Sequence, residues 1–386
     1  MVLATTAAVV VAWGWGYCSS GADVAARVPQ VLPFARRIEN HSGIYLGYDE
    51  HGSLVGYAAS GEAPGYGGPI QLLVGVAPDG QIIAAEIVQQ RDTPGFFRQV
   101  LSSGLLESLT HHRATDALQL GQDLDAVSGA TLSAEGVAAA ARRALQAISQ
   151  EGLGQHRPPE RRPIKFGIPE LSLIMLYAGG YFGHKIRSSA WKRRIRWTTL
   201  IAGMIVLGFL YTAPLTIAQV IAFISGYWPD WQNNLYWYLL IGGILFVTTL
   251  DAKNPYCGWF CPFGAVQECL ATLSGVKIYR PRQLDKLLTW VQRGLALAAI
   301  FLGLSLRRPG AAAFEPFPTL FDLRGTALQW SFLVLVLIAS LLVYRPFCNY
   351  LCPLDPVIEF IAEIRRMIEE IWRRWIHPIR KSPGNL

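Results

Sequence analysis

Apolar residues along this chain collect into one run at the start and a series of runs in the second half. The first run, residues 1–21, contains no charged side chain. The later runs cover residues 168–183, 197–211, 236–250, 287–306 and 328–344, and a further apolar stretch at 213–224 either continues the helix before it or re-enters the membrane. A helix needs ~20 predominantly apolar residues to cross a membrane. The pattern predicts an N-terminal transmembrane anchor and a polytopic α-helical membrane domain of about five helices.

Residues 22–151 carry a different pattern, which predicts an α+β domain outside the membrane. Its predicted elements are strands at 70–76 and 82–88 joined by a turn at 77–80, a strand pair within 43–60, and a closing helix at 135–150. A linker rich in Pro and Arg follows at 152–165, and the membrane domain occupies 166–356. Residues 357–386 are predicted to form an amphipathic helix and tail at the cytoplasmic membrane surface.

Composition and charge agree with a membrane protein. Hydrophobic residues make up 52% of the chain and charged residues 16%, and the mean hydropathy is +0.28. A net charge of +7 could indicate nucleic acid, but the basic residues stand beside apolar segments, so membrane lipid is the expected partner and nucleic acid is not. The basic clusters are Lys185 to Arg196, Lys277 to Lys286, and Arg345 with Arg365 and Arg366. This distribution predicts that these loops are cytoplasmic and that the α+β domain lies on the outer side.

Two charged residues fall within the predicted membrane helices. Glu170 and Arg293 would each be costly in contact with lipid. We therefore expect both side chains to face protein, a membrane interface or a ligand.

Four cysteines form two C-x₃-C-P pairs, Cys257 with Cys261 and Cys348 with Cys352. Residues four apart lie on one face of a helical turn, so each pair can present two thiols together. Four thiolates are the ligand complement of an iron–sulfur cluster or of a structural zinc ion. An iron–sulfur cluster is favoured, and whether the pairs share one cluster or hold two stays open.

The heptapeptide of residues 125–131, D-A-V-S-G-A-T, precedes the predicted closing helix. Its residue types suit a helix N-cap, and the free N–H groups of a helix start also bind phosphate. It resembles the flavin-attachment motif of FMN-binding domains in the Rnf and Na⁺-translocating quinone reductase systems. The resemblance implies that a flavin transferase esterifies FMN phosphate to Thr131. Asp125, Ser128, Gly129 and Ala130 would then be the recognition and turn residues that present it.

With both motifs, the chain resembles the membrane FMN-binding proteins of the NosR, NirI and PceC type, an RnfG-like domain fused to a NapH-like 4Fe-4S-binding region. The resemblance implies that two loops approach the flavin ring, one containing Gly68 and one containing Thr93, Pro94 and Gly95. NosR continues into a ferredoxin-like domain, whereas this sequence ends at Leu386, so the resemblance is stronger to the shorter PceC-like arrangement.

The resemblance implies a multi-pass protein of the bacterial inner membrane that transfers electrons and is similar to quinol dehydrogenases. A quinol or cytoplasmic donor would supply them through one 4Fe-4S cluster and covalent FMN to an extracytoplasmic reductase or its maturation system, with a quinone as a further candidate cofactor. The alternatives are a redox-sensing regulator or assembly factor, and a subunit of an Rnf-like ion-pumping complex. A membrane core ~30 Å thick is too wide for one electron step. We therefore expect a deeply placed cluster, an FMN domain that leans onto the membrane, or a further carrier.

Overall fold

The structure is a computed structural model in which two regions follow one another along the chain. It describes residues 2–19, 23–92, 94–125, 131–154, 164, 166–212, 214–229, 231–232, 234–251, 254–276, 282–312, 314–323 and 325–376. The first region contains a β-sheet and the second is helical. A β-sheet domain joined to a helical region was the predicted architecture.

Five antiparallel strands form one sheet in simple meander order. They are β1 (Arg37–His41), β2 (Ile44–Tyr48), β3 (Leu54–Pro64), β4 (Pro69–Val76) and β5 (Ile82–Gln90). The predicted strands at 70–76 and 82–88 are confirmed as parts of β4 and β5. The predicted turn between them is also confirmed, because Gly80 donates its N–H to the carbonyl of Ala77 at 2.9 Å with a φ of +87°. The predicted strand pair within 43–60 is β2 with most of β3.

Helices close this domain around the sheet. They are α2 (Val28–Val31), α3 (Pro94–Ser102), α4 (Leu105–Leu109) and α5 (Thr131–Ala147), which continues as a π-helical turn at Ile148–Gly152. Helix α1 (Val2–Ser19) precedes the domain. The predicted closing helix is confirmed as α5. Its buried Ala134, Val137, Ala138 and Ala141 recur at helical spacing and pack against β3 and β4. These small side chains let the helix lie very close to the sheet.

The helical region supplies the remaining helices. They are α6 (Ile168–Lys185), α7 (Ser189–Gly203) with a π-helical continuation at Met204–Leu210, α8 (Ile217–Ser225), α9 (Leu235–Asp251), α10 (Pro255–Trp259), α11 (Pro262–Leu273), α12 (Arg282–Ser305), α13 (Phe317–Phe321), α14 (Ala327–Leu342), α15 (Pro346–Tyr350) and α16 (Leu354–Ile376). All five predicted apolar segments are helical, and the stretch at 213–224 contains the separate helix α8. The predicted C-terminal helix is confirmed as α16.

One described helix is long and apolar enough to cross a membrane, namely residues 286–305 of α12. Three shorter apolar helices accompany it, at residues 2–18, 235–250 and 327–342. Together they lie in four of the six predicted membrane segments.

The first helix is packed into the helical region. Ala12 of α1 is fully buried against Ile300 and Leu304 of α12. Gly16 lies so close that a Cβ there would stand 2.2 Å from the carbonyl oxygen of Leu304. Small residues four apart allow two helix backbones to approach in this way. Residues 2–19 therefore form part of the helical body.

The two charged residues within the predicted membrane helices have protein partners, as expected. Glu170 is buried, and its carboxylate accepts the N–H of Gly167 at 2.8 Å, which caps the start of α6. Arg293 pairs with Glu359 of α16 at 3.2 Å and stacks over Trp290.

Candidate functional site

The predicted flavin-attachment segment lies at the start of α5. Residues 126–130, including Ser128, Gly129 and Ala130, and also Thr93 lie outside the described residues, as do the side chains of Thr131, Pro94 and Gly95. Asp125 is exposed just before this segment. The helix itself begins at Thr131. One turn and a half later, a Cβ on Gly136 would lie 2.9 Å from the carbonyl oxygen of Pro64 and 3.0 Å from the Cα of Gly65. The N-terminal end of α5 is therefore beside the loop at 65–68.

Asp92 holds that loop in place. Its carboxylate, 3% exposed, accepts the N–H of Gly67 at 2.6 Å and the N–H of Tyr66 at 3.3 Å. A Cβ on Gly68 would stand 2.2 Å from the carbonyl oxygen of Arg91, so this position requires glycine. Because Asp92 lies two residues before the start of α3 at Pro94, the loop at 65–68 and the starts of α3 and α5 lie at one end of the domain. Sequence reasoning missed Asp92, although an acidic residue directly before a turn sequence was an available signal.

The same end of the domain contacts the helical region. Arg91 donates to the hydroxyl of Tyr227, which follows α8, and its guanidinium lies 5.7 Å from the centre of that ring. Arg307, which follows α12, lies over the same ring at 5.0 Å. Tyr227 is therefore in contact with one guanidinium from each region.

Tyr66 also faces the helical region. Burial raises the pKa of its phenol, and the nearby carboxylates of Asp322 and Glu315 raise it further. Both carboxylates belong to the segment between α12 and α14. The predicted flavin end of the domain thus docks on the loops after α8 and α12.

The two cysteine pairs are built in the same way. In each, a five-residue helix begins at a proline, Pro255 in α10 and Pro346 in α15, where its missing N–H is harmless. The first cysteine is the third residue of that helix and the second follows its end, directly before Pro262 or Pro353. The full repeat is therefore P-x-C-x₃-C-P. The prolines two residues before the first cysteines were a sequence signal that the shorter motif left unused.

Buried glutamine side chains connect the second pair to α11 and α12. Gln267 donates from Nε2 to Sγ of Cys348 at 3.1 Å, and its Oε1 accepts the N–H of Phe347 at 3.0 Å. Gln292 donates from Nε2 to the carbonyls of Cys348 and Cys352, at 3.0 and 2.9 Å. Since α11 directly follows the first pair, Gln267 ties the two pairs together.

Further hydrogen bonds cross between the pairs. Arg345 donates from Nη1 to the carbonyl of Cys257 at 3.2 Å. Asn254 accepts the N–H of Cys257 at 2.9 Å and donates to Asp355, near the second pair, at 3.1 Å. The two motifs are therefore parts of one site.

A buried ion network borders this site. Glu268 is 4% exposed and receives two hydrogen bonds of 2.7 Å from Arg196 and another from Arg345. Burial alone would raise the pKa of Glu268, but the two guanidiniums outweigh it and hold the pKa below its ordinary value. The site therefore includes two cations compensated by one carboxylate.

The four thiols are strongly biased toward the neutral form in the protein alone. Burial raises the pKa of Cys348 to about 12, and it also raises the pKa of Cys257, Cys261 and Cys352. For three of the four, charge on other motif thiols adds to this effect. The positive charge of bound iron would convert such thiols to thiolates. Their number and grouping fit a Cys₄ cluster site. The described part of the chain contains no group of three or more His, Cys, Asp or Glu side chains suited to hold a single metal ion.

The cysteine site also contacts segments of the helical region near the predicted flavin end of the first domain. The hydroxyl of Tyr256 accepts the N–H of Leu215 at 2.8 Å, and Tyr256 is fully buried beside Cys257. The ring of Phe263 lies 5.1 Å from that of Phe317 in α13. The motifs thus fold back among the helices toward the segments that meet the first domain.

Comparison with known proteins identifies both regions. A profile of the FMN-binding domain matches residues 65–146, and a profile of the 4Fe-4S binding domain matches residues 233–281 and 330–379. The first match contains the D-A-V-S-G-A-T segment, and each part of the second contains one cysteine pair.

Several curated proteins are similar to the chain. Protein NirI of Paracoccus denitrificans is 31% identical over 45% of this chain and 27% of its own length. Regulatory protein NosR of Pseudomonas aeruginosa is 28% identical over 53% of this chain and 31% of its own. The putative electron transport protein YccM of Escherichia coli is 31% identical over 32% of this chain and 40% of its own. The chain spans less than a third of the length of NirI and of NosR. The chain therefore joins a match to the FMN-binding domain and a match to the 4Fe-4S binding domain in one polypeptide, and it is similar to NirI and NosR.

Proposed function

We propose that this protein carries electrons across a membrane, between a 4Fe-4S cluster held by its four motif cysteines and FMN attached to Thr131. The observation that carries the proposal is the docking of the predicted flavin end of the first domain on the helical region that contains the four motif cysteines. The donor would be a quinol or a cytoplasmic reductant. The acceptor would be an extracytoplasmic reductase or its maturation system.

The flavin site is supported by the meeting of three predicted elements. The start of α5, the loop at 65–68 and the chain after Asp92 lie at one end of the domain. A helix start offers free N–H groups and a positive dipole end to the FMN phosphate. Thr131 would carry the phosphoester, formed by a flavin transferase, and Asp125 with residues 128–130 would present it.

Covalent attachment can be tested on a denaturing gel. The wild-type protein should give a fluorescent flavin band, and Thr131→Ala should abolish it because the ester oxygen is gone. Thr115→Ala, at an exposed position of the same domain, is the matched control and should keep the band. A fluorescent Thr131→Ala band would contradict attachment at this residue.

One shared cluster is favoured over two. Hydrogen bonds of Gln267, Arg345 and Asn254 cross between the pairs, and four thiols satisfy one cluster without an outside ligand. Paramagnetic resonance and iron analysis of the purified protein should give one cluster, near four irons per chain. Zinc in place of iron would reject the cluster.

The helix order supports a multi-pass topology in the inner membrane. If α6, α7, α9, α12 and α14 each cross once, the loops after α8 and α12 share the outer side with the FMN domain. Both cysteine pairs then belong to the inner half, next to the basic clusters. Protease added to spheroplasts should reach the FMN domain and leave α16 intact.

A quinol donor is supported by a cavity beside the cysteine site. Its volume is about 590 Å³, and it lies between α1, α8, α9, α12 and α16. Its walls are largely apolar, with the Arg293–Glu359 pair as a polar element. Leu354, two residues after Cys352, forms part of the wall, so a bound quinone would be close to the second pair.

In this arrangement, the thickness of the membrane is less of an obstacle to electron transfer between the cluster and FMN. The cysteine motifs extend among the helices to Leu215 and Phe317, while the FMN domain docks on the neighbouring Tyr227 and Glu315. These contacts support the two expected solutions together, a deep cluster and a leaning FMN domain.

Electron transfer through the chain can be followed from the flavin spectrum. A soluble quinol analogue should reduce the flavin of the purified wild-type protein. Cys257→Ala, which removes one cluster ligand, should prevent this while dithionite still reduces the flavin directly. Equal flavin reduction in both proteins would contradict the relay, and no reduction in either would favour the sensor or assembly-factor alternative.

A further inference from the structure

The side chain of Gln267 donates a hydrogen bond to a motif sulfur. It is 0% exposed in α11, and its amide is fixed at both ends. Oε1 accepts the backbone N–H of Phe347 at 3.0 Å, which leaves Nε2 directed at Sγ of Cys348 at 3.1 Å. The donor is therefore positioned by the protein and not by the sulfur alone.

We infer that Gln267 sets the reduction potential of the iron–sulfur cluster by donating a hydrogen bond to the sulfur of Cys348. This inference rests on the proposed cluster at the four cysteines. A hydrogen bond to a ligating sulfur stabilises the more negative, reduced cluster more than the oxidised one. In a buried site of low dielectric, this preference is stronger than it would be in water. Gln267 should therefore raise the potential, which makes the cluster a better acceptor for its donor.

Gln292 provides a matched comparison in the same site. It is also a buried glutamine, 4% exposed, and it also bonds Cys348. Its Nε2 meets the backbone carbonyls of Cys348 and Cys352 instead of a sulfur. Loss of this amide removes a similar number of hydrogen bonds from the motif without removing the one on the ligand atom. A comparison of variants at the two positions therefore distinguishes an effect on the sulfur from an effect on the fold.

The test is a redox titration of the full-length protein followed by paramagnetic resonance. Gln267→Met keeps the side-chain length and removes the amide, and it should shift the midpoint potential of the cluster to a more negative value. Gln292→Met should shift it by less. Gln267→Asn, which shortens the side chain and withdraws the donor, should also give a negative shift, and it decides the matter if Gln267→Met does not assemble a cluster.

An unchanged potential in the Gln267 variant that retains its cluster would overturn the inference and leave the proposed cluster intact. An equal shift in the Gln267→Met and Gln292→Met proteins would overturn it as well. A wild-type protein without any cluster signal would instead overturn the proposed function, and the role of Gln267 with it. The iron content of each variant, measured on the same sample, distinguishes these results.

Discussion

Glu315 is a buried carboxyl on the side of the helical region that faces the FMN domain. It is 6% exposed, and its Oε1 accepts the N–H of Ile217 at the start of α8 at 2.6 Å. Its Oε2 is buried without a hydrogen-bond partner among the described residues. Burial raises its pKa from the ordinary 4.5 to about 7, although backbone N–H groups act to lower it. The neutral acid is therefore the form that the fold prefers.

This preference predicts how stability depends on pH. Between pH 4.5 and about 7 the carboxyl is ionised in the unfolded chain and protonated in the folded protein. The folded state then binds the extra proton, so its stability is full below pH 4.5 and falls as the pH rises toward 7. At ~1.4 kcal/mol for each tenfold change in proton affinity, the whole loss is ~3 kcal/mol. Glu315→Gln, which does not ionise, should lack this loss.

The assay is the apparent free energy of unfolding in detergent at several pH values, compared between the wild-type and Glu315→Gln proteins. The slopes are compared, because the new amide also changes stability by a constant amount. The difference between the two proteins should change by ~3 kcal/mol from pH 4.5 to pH 8. Glu107→Gln controls for loss of an exposed carboxyl. Parallel curves for the wild-type and Glu315→Gln proteins would refute the neutral buried acid.

Two further predictions concern the surroundings of the cysteines, each measured by thermal unfolding and by iron per chain. A Cβ on Gly203 would stand 2.3 Å from the carbonyl oxygen of Phe260, so Gly203→Ala should destabilise the protein by ~1–3 kcal/mol or more and lower its iron content. Gly242→Ala in α9, where the added methyl group meets open space, should leave stability unchanged or raise it. Equal losses of stability in the Gly203→Ala and Gly242→Ala proteins would contradict the steric argument. Glu268→Ala leaves two guanidiniums without their buried partner and should cost ~3–5 kcal/mol, whereas Glu359→Ala breaks a half-exposed pair and should cost ~1 kcal/mol or less. Similar losses of stability in the Glu268→Ala and Glu359→Ala proteins would show that burial does not determine the cost of breaking these ion pairs.

The sequence pattern was most informative where an element makes its own periodic face. The helices α5 and α16 and the strands β4 and β5 were predicted because apolar side chains recur along each of them. Short elements could not be found in this way. Helix α10 has five residues, too few to show a period, and its position depends on contacts with α6 and α7. Strand β1 carries mostly polar side chains and exists because β2 pairs with it.

The residues of the cofactor sites also differ in whether a local sequence pattern predicts them. Motif spacing predicted the four cysteines as a group, and hydrogen bonds of Gln267 and Arg345 link the two pairs. Asp92, Gln267 and Glu268 act through tertiary contacts, and the last two meet partners more than 70 residues away. No local pattern encodes the distant partners of Gln267 and Glu268, so in the sequence both have the character of ordinary helix residues. The docking of Arg91 on Tyr227 was also beyond the sequence, because it joins two regions that were predicted separately.

Buried carboxyls are where an electron conduit and an ion pump should differ most. A pump needs acidic groups that exchange protons in series across the membrane. Glu170 is engaged in capping α6, and Glu268 is compensated by two guanidiniums. Of these three, Glu315 retains an unpartnered oxygen, and it lies at the FMN-domain side. Protonation of this one carboxyl would not by itself move a proton across the membrane. These three carboxyls therefore favour the proposed conduit, and quinol should still reduce the flavin of the Glu315→Gln protein.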